Sequence, residues 1–241
     1  MILSKTVYRN KGSKDNIIIS IAGAHGVGKS TIYNILKKRL EDNNKFKFFP
    51  ERYKKRPPFP FGSSNKQTAF RSELHFLQQL IRRNRSIKNY DNKYNGRILI
   101  LDRTPICVLI YSKSLNLKEK DYQLIFDTYN SIEWKEDYII YLTASADTIL
   151  KRIIQRGSLE KIRREWNETK KKYLITILSY YNQFLSSKEI KRKVFIIDTE
   201  GLTPEQVTEK IVQIFEALSG YMFKKSFKLP KAQMSLVKFL K

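Results

Sequence analysis

Residues Gly23–Ser30 read GAHGVGKS and fit the spacing G-x-x-x-x-G-K-S without a mismatch. Glycines at 26 and 28 allow backbone angles and close approach that a Cβ would obstruct. Successive N–H groups can then converge on phosphate oxygens at the start of a helix. In such a cradle, formed by Gly23, Ala24, His25, Gly26, Val27 and Gly28, Lys29 would lie across the β- and γ-phosphates of ATP. Ser30 would ligate Mg²⁺, and Thr31 would support the same turn. His25 occupies a position that the pattern leaves open, which suits a spacer better than a catalyst. An ordinary glycine-rich turn could show the same letters. The flanks weigh against that: NIIISIA ahead reads as a buried strand, and TIYNILKKRL behind repeats its apolar residues at helical spacing.

Two further places combine an acid with an arginine. One is Pro50-Glu51-Arg52, after the alternating run KFKFF, and the other is Asp102-Arg103-Thr104, after RILIL. Asp102 follows an apolar run, as a Mg²⁺-coordinating acid would. Glu51 could accept a proton from an acceptor hydroxyl, with Arg52 and Arg103 beside the acceptor. Alone, either acid could be an N-cap or a solvated loop residue. Their repetition at consecutive strand ends favours a site. Phosphoryl transfer needs just these parts: metal, positive charge around the moving group, and something to orient the acceptor.

Arg152 and Arg156 lie four residues apart, on one helix face, ahead of Gly157. They could form a flap that neutralises transition-state charge, or a solvated basic helix end. Gln67 precedes Phe70 and Leu74 at helical spacing and so heads an expected buried stripe of Phe70, Leu74, Leu77 and Ile81. It could read a nucleobase edge, with Phe70 stacking and Arg71 nearby, or sit near water at the helix start. Trp134, Trp166 and His75 suit packing.

The elements that must position these residues alternate. Strands are expected at 16–22, 45–49, 97–101, 138–142 and 194–197, and helices at 67–88, 105–114, 119–131, 148–155, 160–185 and 204–218. Together with the helix behind the glycine turn, this predicts an α/β protein with a five-stranded parallel sheet and helices on both faces. In such sheets ligands sit beyond the carboxyl ends of the strands, where the glycine loop, Glu51 and Asp102 all fall. Thr203 and Pro204 read as cap and first turn of the last helix. The expected division is an N-terminal arm (1–16), one kinase-type domain (17–218) and a basic tail (219–241) that contains lysines and no acid.

Composition narrows the class. Hydrophobic residues make up 41% of the 241, enough for a core. One cysteine, Cys107, excludes a disulfide framework and a cysteine-based zinc site. No apolar run reaches the ~20 residues that span a bilayer, and MILSKTVYRN lacks the apolar core of a signal peptide, so a cytoplasmic location is expected. The net charge of +24 fits lysines spread over solvated faces, an anionic substrate, a membrane surface or nucleic acid.

Taken in order, GAHGVGKST, PERY, QTAFRSELHFL, ILILDRT, YIIYL with ILKRIIQRG, and VFIIDTE resemble the deoxynucleoside kinase and thymidylate kinase superfamily over residues 17–218. The resemblance implies a P-loop kinase with a helical lid, using ATP and Mg²⁺. It makes Glu51 the catalytic base and Gln67 the base-reading glutamine. It matches Asp102 and Arg103 to the family's acid–arginine motif, and Arg152 and Arg156 to the lid arginines. Leu74 stands where relatives often place a second base-reading arginine, and the lid reads R-G-S at 156–158 rather than R-G-R. His25 and Val27 do not reproduce the P-loop pattern of thymidylate kinases.

The leading expectation is ATP-dependent phosphoryl transfer to a nucleoside or nucleoside monophosphate. A kinase of nucleic-acid ends, suggested by the charge and the tail, and a non-catalytic nucleotide-binding or nucleic-acid-binding protein are the alternatives. Oligomeric state stays open, a homodimer included.

Overall fold

The computed structural model describes residues 15–51, 62–156 and 167–222. Arg52, Gly157, Ser158, Arg163, Arg164 and Trp166 lie outside them, as do nearly all of the expected arm and tail.

The glycine turn is framed by β1 (Ile17–Ala22) and α1 (Lys29–Leu40). There follow β2 (Phe46–Phe49), α2 (Lys66–Lys93), β3 (Ile98–Asp102), α3 (Cys107–Ser114) and α4 (Glu119–Asn130). The chain then forms β4 (Tyr138–Thr143), α5 (Ala146–Gln155), α6 (Lys171–Leu185), β5 (Val194–Asp198) and α7 (Pro204–Ser219). The five strands are parallel, in the order β2-β3-β1-β4-β5. β1 and β3, the most apolar strands, are buried on both faces because helices cover both. α1 packs with α7; α2, α3, α4 and α6 pack with one another as the second layer.

The register decides what meets at the rim. Ile21 on β1 pairs with Asp102, and Phe49 on β2 pairs with Leu101. The chain segments that leave β1, β2 and β3 therefore emerge side by side, which brings the P-loop, Glu51 and Asp102-Arg103 together.

α2 is longer than periodicity suggested. The Asn65 side chain accepts from the Thr68 N–H at 3.0 Å and starts the helix one residue early. At the far end Tyr90 packs edge-on against Phe49 and carries the helix past Lys88. Its buried face also differs from the expected one. Ala69, Ser72, Glu73, Leu77, Leu80, Arg83, Asn84 and Ile87 are buried, whereas Gln67 is exposed and Phe70, Leu74 and Ile81 are half-buried. The helix sits against α3 and α4 as well as the β3 end, and a polar group with partners there can displace an apolar one.

The domain edges shift slightly. Asn16 is buried, its side chain bridging Asp91 and the Arg97 N–H, so it belongs to the domain and not to an arm. Ser219 is helical, and Tyr221 packs on Phe46 and accepts from the Asn43 amide at 2.9 Å. Thr203 and Gln206 form a reciprocal capping box at the start of α7. No helix among the described residues is long and apolar enough to cross a membrane.

Candidate active site

The cradle is built from local backbone geometry. Gly26 has φ +80° and Gly28 φ +110°, angles that side-chain-bearing residues rarely adopt. A Cβ on Gly28 would meet nothing within 4 Å, so the loop's inner wall is open where an anion would approach. A Cβ on Gly26 would lie 2.6 Å from Cγ1 of Ile153 and 2.8 Å from Cγ2 of Ile149, so here glycine is required by packing on α5. Gly26→Ala is accordingly expected to cost about 2–5 kcal/mol, from overpacking and backbone strain together. Urea denaturation reads this directly; a loss below about 1 kcal/mol would mean that α5 gives way easily.

Lys29 is buried, and its Nζ donates to the Ala24 carbonyl at 2.8 Å. Burial and the nearby Arg103 guanidinium depress its pKa to about 7, against the pull of Asp102 and Glu51. A triphosphate would restore its charge. Ser30 and Thr31 are exposed at the head of α1, which carries no acid in its first turn and three basic residues in its last. That distribution suits an anion at the N-terminus. His25 has a different task. Its ring is buried at 5.9 Å from the Tyr173 ring, its Nε2 lies 3.2 Å from the Glu168 carbonyl, and its N–H donates to the Tyr111 hydroxyl. Burial holds its pKa near 3, so the ring is neutral. His25 thus ties the cradle to α3 and α6, and the loop N–H assigned to phosphate at this position is already bonded.

Beside the cradle, Arg103 Nε donates to Glu51 Oε1 at 2.9 Å, with both side chains largely buried. Burial alone would lower the Arg103 pKa; the Glu51 carboxylate reverses this and holds it above the ordinary arginine value. Arg103 has φ +71°, a strained angle for a residue with a Cβ, and its guanidinium lies 5.5 Å from the Tyr111 ring centre. Arg83 on α2 holds this conformation. It is 1% exposed, donates from Nη1 to the Asp102 carbonyl and, at 2.7 Å, from Nη2 to the Arg103 carbonyl. Behind it, the half-buried Glu136 accepts from Ser20 and Thr104, and desolvation of its carboxyl group raises its pKa to about 7.

Asp102 is buried, and its Oδ1 has no hydrogen-bond partner among the described residues. Burial, then Glu51, raises its pKa, while Arg103, Lys29 and Arg83 oppose this. A buried carboxylate oxygen without a partner, near Lys29 and the cradle, fits a cation that travels with the triphosphate.

Two pockets flank these groups. The first is lined by Glu51, Glu73, Phe76, Leu80, Arg103, Cys107, Val108 and Tyr111. Gln67, Phe70 and Arg71 do not line it; α2 instead presents Glu73, Phe76 and Leu80, one turn and more further along. The second lies across the cradle, between Gly26, Gly28, Thr31, Arg152, Arg156 and the segment from Thr199 to Val207. Arg152 donates to Thr199 Oγ1 at 2.9 Å and to the Thr199 carbonyl at 2.7 Å. Its Nη1 also donates to the Val27 carbonyl at 3.3 Å, so it ties α5 to the cradle as well as to the segment after β5, and it lines this pocket together with Arg156.

A parallel sheet in this strand order, with a glycine cradle at its centre and an ion-paired acid and arginine beside it, defines a P-loop kinase of nucleosides or nucleotides. The chain belongs to the deoxynucleoside kinase family, whose family model matches residues 19–218. It is 27% identical over 167 residues to the deoxyadenosine/deoxycytidine kinase of Bacillus subtilis (strain 168), covering 66% of this chain and 75% of that one. It is 26% identical over 192 residues to the deoxyguanosine kinase of Lactobacillus johnsonii, covering 74% and 81%. Among solved structures, deoxyadenosine kinase from M. mycoides superposes with a TM-score of 0.67 at 26% identity, covering 83% of this chain and 99% of that one. The protein is an ATP-dependent phosphotransferase acting on a nucleoside or nucleoside monophosphate.

Proposed function

We propose that the acceptor is a deoxynucleoside and that phosphoryl transfer goes to its 5′-hydroxyl. The observation that carries this is the charge of the first pocket. Among the described residues its lining offers one cation, Arg103, already paired with Glu51, and a second carboxyl group, Glu73. A monophosphate would bring two negative charges into that company, whereas a neutral nucleoside would not. The names of the relatives, kinases of deoxyadenosine, deoxycytidine and deoxyguanosine, support the same reading.

In this reading Glu51 accepts the proton of the attacking hydroxyl. Arg103 fixes the Glu51 carboxylate and adds positive charge beside the moving phosphoryl group. The cradle and Lys29 hold the β- and γ-phosphates. Mg²⁺ would be held by Ser30 and Asp102 and would supply charge to the phosphate oxygens. Arg156 adds charge from the end of α5. Arg152 shapes the second pocket, where the triphosphate's own base and sugar would lie. Water must be kept out while the phosphoryl group moves; the sequence assigns the lid arginines to Arg152 and Arg156, ahead of Gly157.

The test is a transfer assay with γ-labelled ATP, Mg²⁺ and a panel of deoxynucleosides, their monophosphates and 5′-hydroxyl oligonucleotides. Label on deoxynucleosides is the expected outcome. Label on monophosphates alone, or on oligonucleotides alone, would overturn the choice of acceptor.

A further inference from the structure

The stretch between α4 and β4 carries a carboxylate that the mechanism above does not use, Glu136. Its main chain is fixed on both sides. The Lys135 N–H donates to Asn84 Oδ1 at 2.9 Å. The Asp137 N–H donates to the Ile18 carbonyl at 2.9 Å, and Asp137 Oδ2 accepts from the Ile18 N–H at 2.8 Å. From this rigid base the Glu136 side chain reaches two buried hydroxyls. Ser20 on β1 donates to Oε1, and Thr104 donates to Oε2 at 3.0 Å. Each carboxylate oxygen thus has a partner, as a charged group withdrawn from water requires. Thr104 is the residue after Arg103, and three ties hold the turn that contains them. The Arg103 N–H donates to the Ile21 carbonyl at 3.1 Å. Arg83 donates to the Asp102 and Arg103 carbonyls. The Thr104 hydroxyl donates to Glu136. The first two ties act up to the Arg103 carbonyl. The third acts beyond it, on the residue that must swing if the Arg103 φ of +71° relaxes. A strained angle persists where its surroundings over-determine it. Glu136 also adds to the negative charge that opposes the cost of burying Arg83.

We infer that Glu136 is a positioning residue for phosphoryl transfer: through the Thr104 hydroxyl it fixes the far side of the Arg103 turn and so keeps that guanidinium on Glu51 and beside the moving group. The inference rests on the reading that Arg103 supplies charge there. Glu136 touches neither substrate nor phosphate in this account, and it acts through two intervening residues. Its effect therefore belongs to the transfer step. ATP is held by the cradle and Lys29, on the loop after β1, and its affinity does not depend on the Arg103 turn.

The experiment is a double-mutant cycle on kcat, measured per folded molecule, with calorimetric ATP binding alongside. Glu136→Ala and Thr104→Val should each lower kcat by about 10–10²-fold, as a small displacement of a charged group at the reacting centre does. ATP affinity should stay within about twofold of wild type. The double variant should be no slower than Glu136→Ala alone, because both changes break the same tie. Two conservative variants should rescue the rate. Thr104→Ser keeps the hydroxyl and Glu136→Gln keeps an acceptor for it, so each should stay within about fivefold of wild type. Arg103→Lys, measured in parallel, tests the underlying reading and should be slow. A purely structural Glu136 would lower stability and leave kcat per folded molecule near wild type. That result, or losses that multiply in the double variant, would overturn the inference while a slow Arg103→Lys kept the reading. Should either parent variant fail to fold, the other still reports the tie against its conservative partner. A wild-type rate in Arg103→Lys would remove the reading and the inference with it.

Discussion

Glu51→Gln is expected to lower kcat by ~10²–10⁴-fold, the usual worth of a positioned general base. The two side chains have nearly the same shape, but an amide cannot take the proton that the acceptor hydroxyl must lose. The change also removes the 2.9 Å ion pair to Arg103, whose guanidinium is buried and held charged by that carboxylate. The effect should fall on the transfer step. Lys29 and the cradle lie on a different loop and make their contacts through the Ala24 carbonyl and the α1 backbone, so ATP affinity should be close to that of wild type. Single-turnover transfer from labelled ATP, with calorimetric ATP binding alongside, separates the two quantities. A turnover within about tenfold of wild type would remove Glu51 as the base.

The second large effect is expected in stability. Arg83→Leu should cost about 3–5 kcal/mol, the range seen when one partner of a buried charged network is removed. Leucine replaces the aliphatic stem but leaves the Asp102 and Arg103 carbonyls without their donor, and takes a positive charge away from Glu136, Asp102 and Glu51. Activity should suffer beyond the stability loss, because the strained φ of +71° at Arg103 then has less to hold it. Arg83→Lys should recover part of both losses, since it restores the charge without the planar fork that reaches two carbonyls. Urea denaturation with transfer assays on the folded fraction reads both effects. A loss under about 1 kcal/mol for the leucine variant would show that water or a neighbour takes over both carbonyls.

The helix α2 shows where reading the chain stops working. Counting apolar residues at helical spacing picked out Phe70, Leu74, Leu77 and Ile81, with Gln67 at their head. The buried face runs instead through Glu73, Leu77, Leu80, Arg83 and Ile87, which share the same spacing. Two charged residues stand in that stripe, and a count of apolar residues assigns both to solvent. The signal was present in the sequence, in the way Glu73 and Arg83 keep step with Leu80 and Ile87. Nothing local says that a strand end with two carbonyls, and a pocket with an ion pair, wait on that side. Arg152 is a similar case. Its place on α5 was legible, but its partner Thr199 lies 47 residues away across the sheet.

The amino-acid order alone determined the glycine cradle, the helix that follows it, and the acids and arginines at two strand ends. These depend on backbone angles and hydrophobic runs over a few neighbouring residues, so the kinase class was readable without coordinates. Tertiary structure decided which face of α2 meets the pocket beside Glu51, that His25 braces the cradle, and that Arg103 is held strained by a buried arginine 20 residues earlier. Those outcomes come from packing between distant segments, where a polar side chain is buried or exposed according to the partner that the fold brings to it.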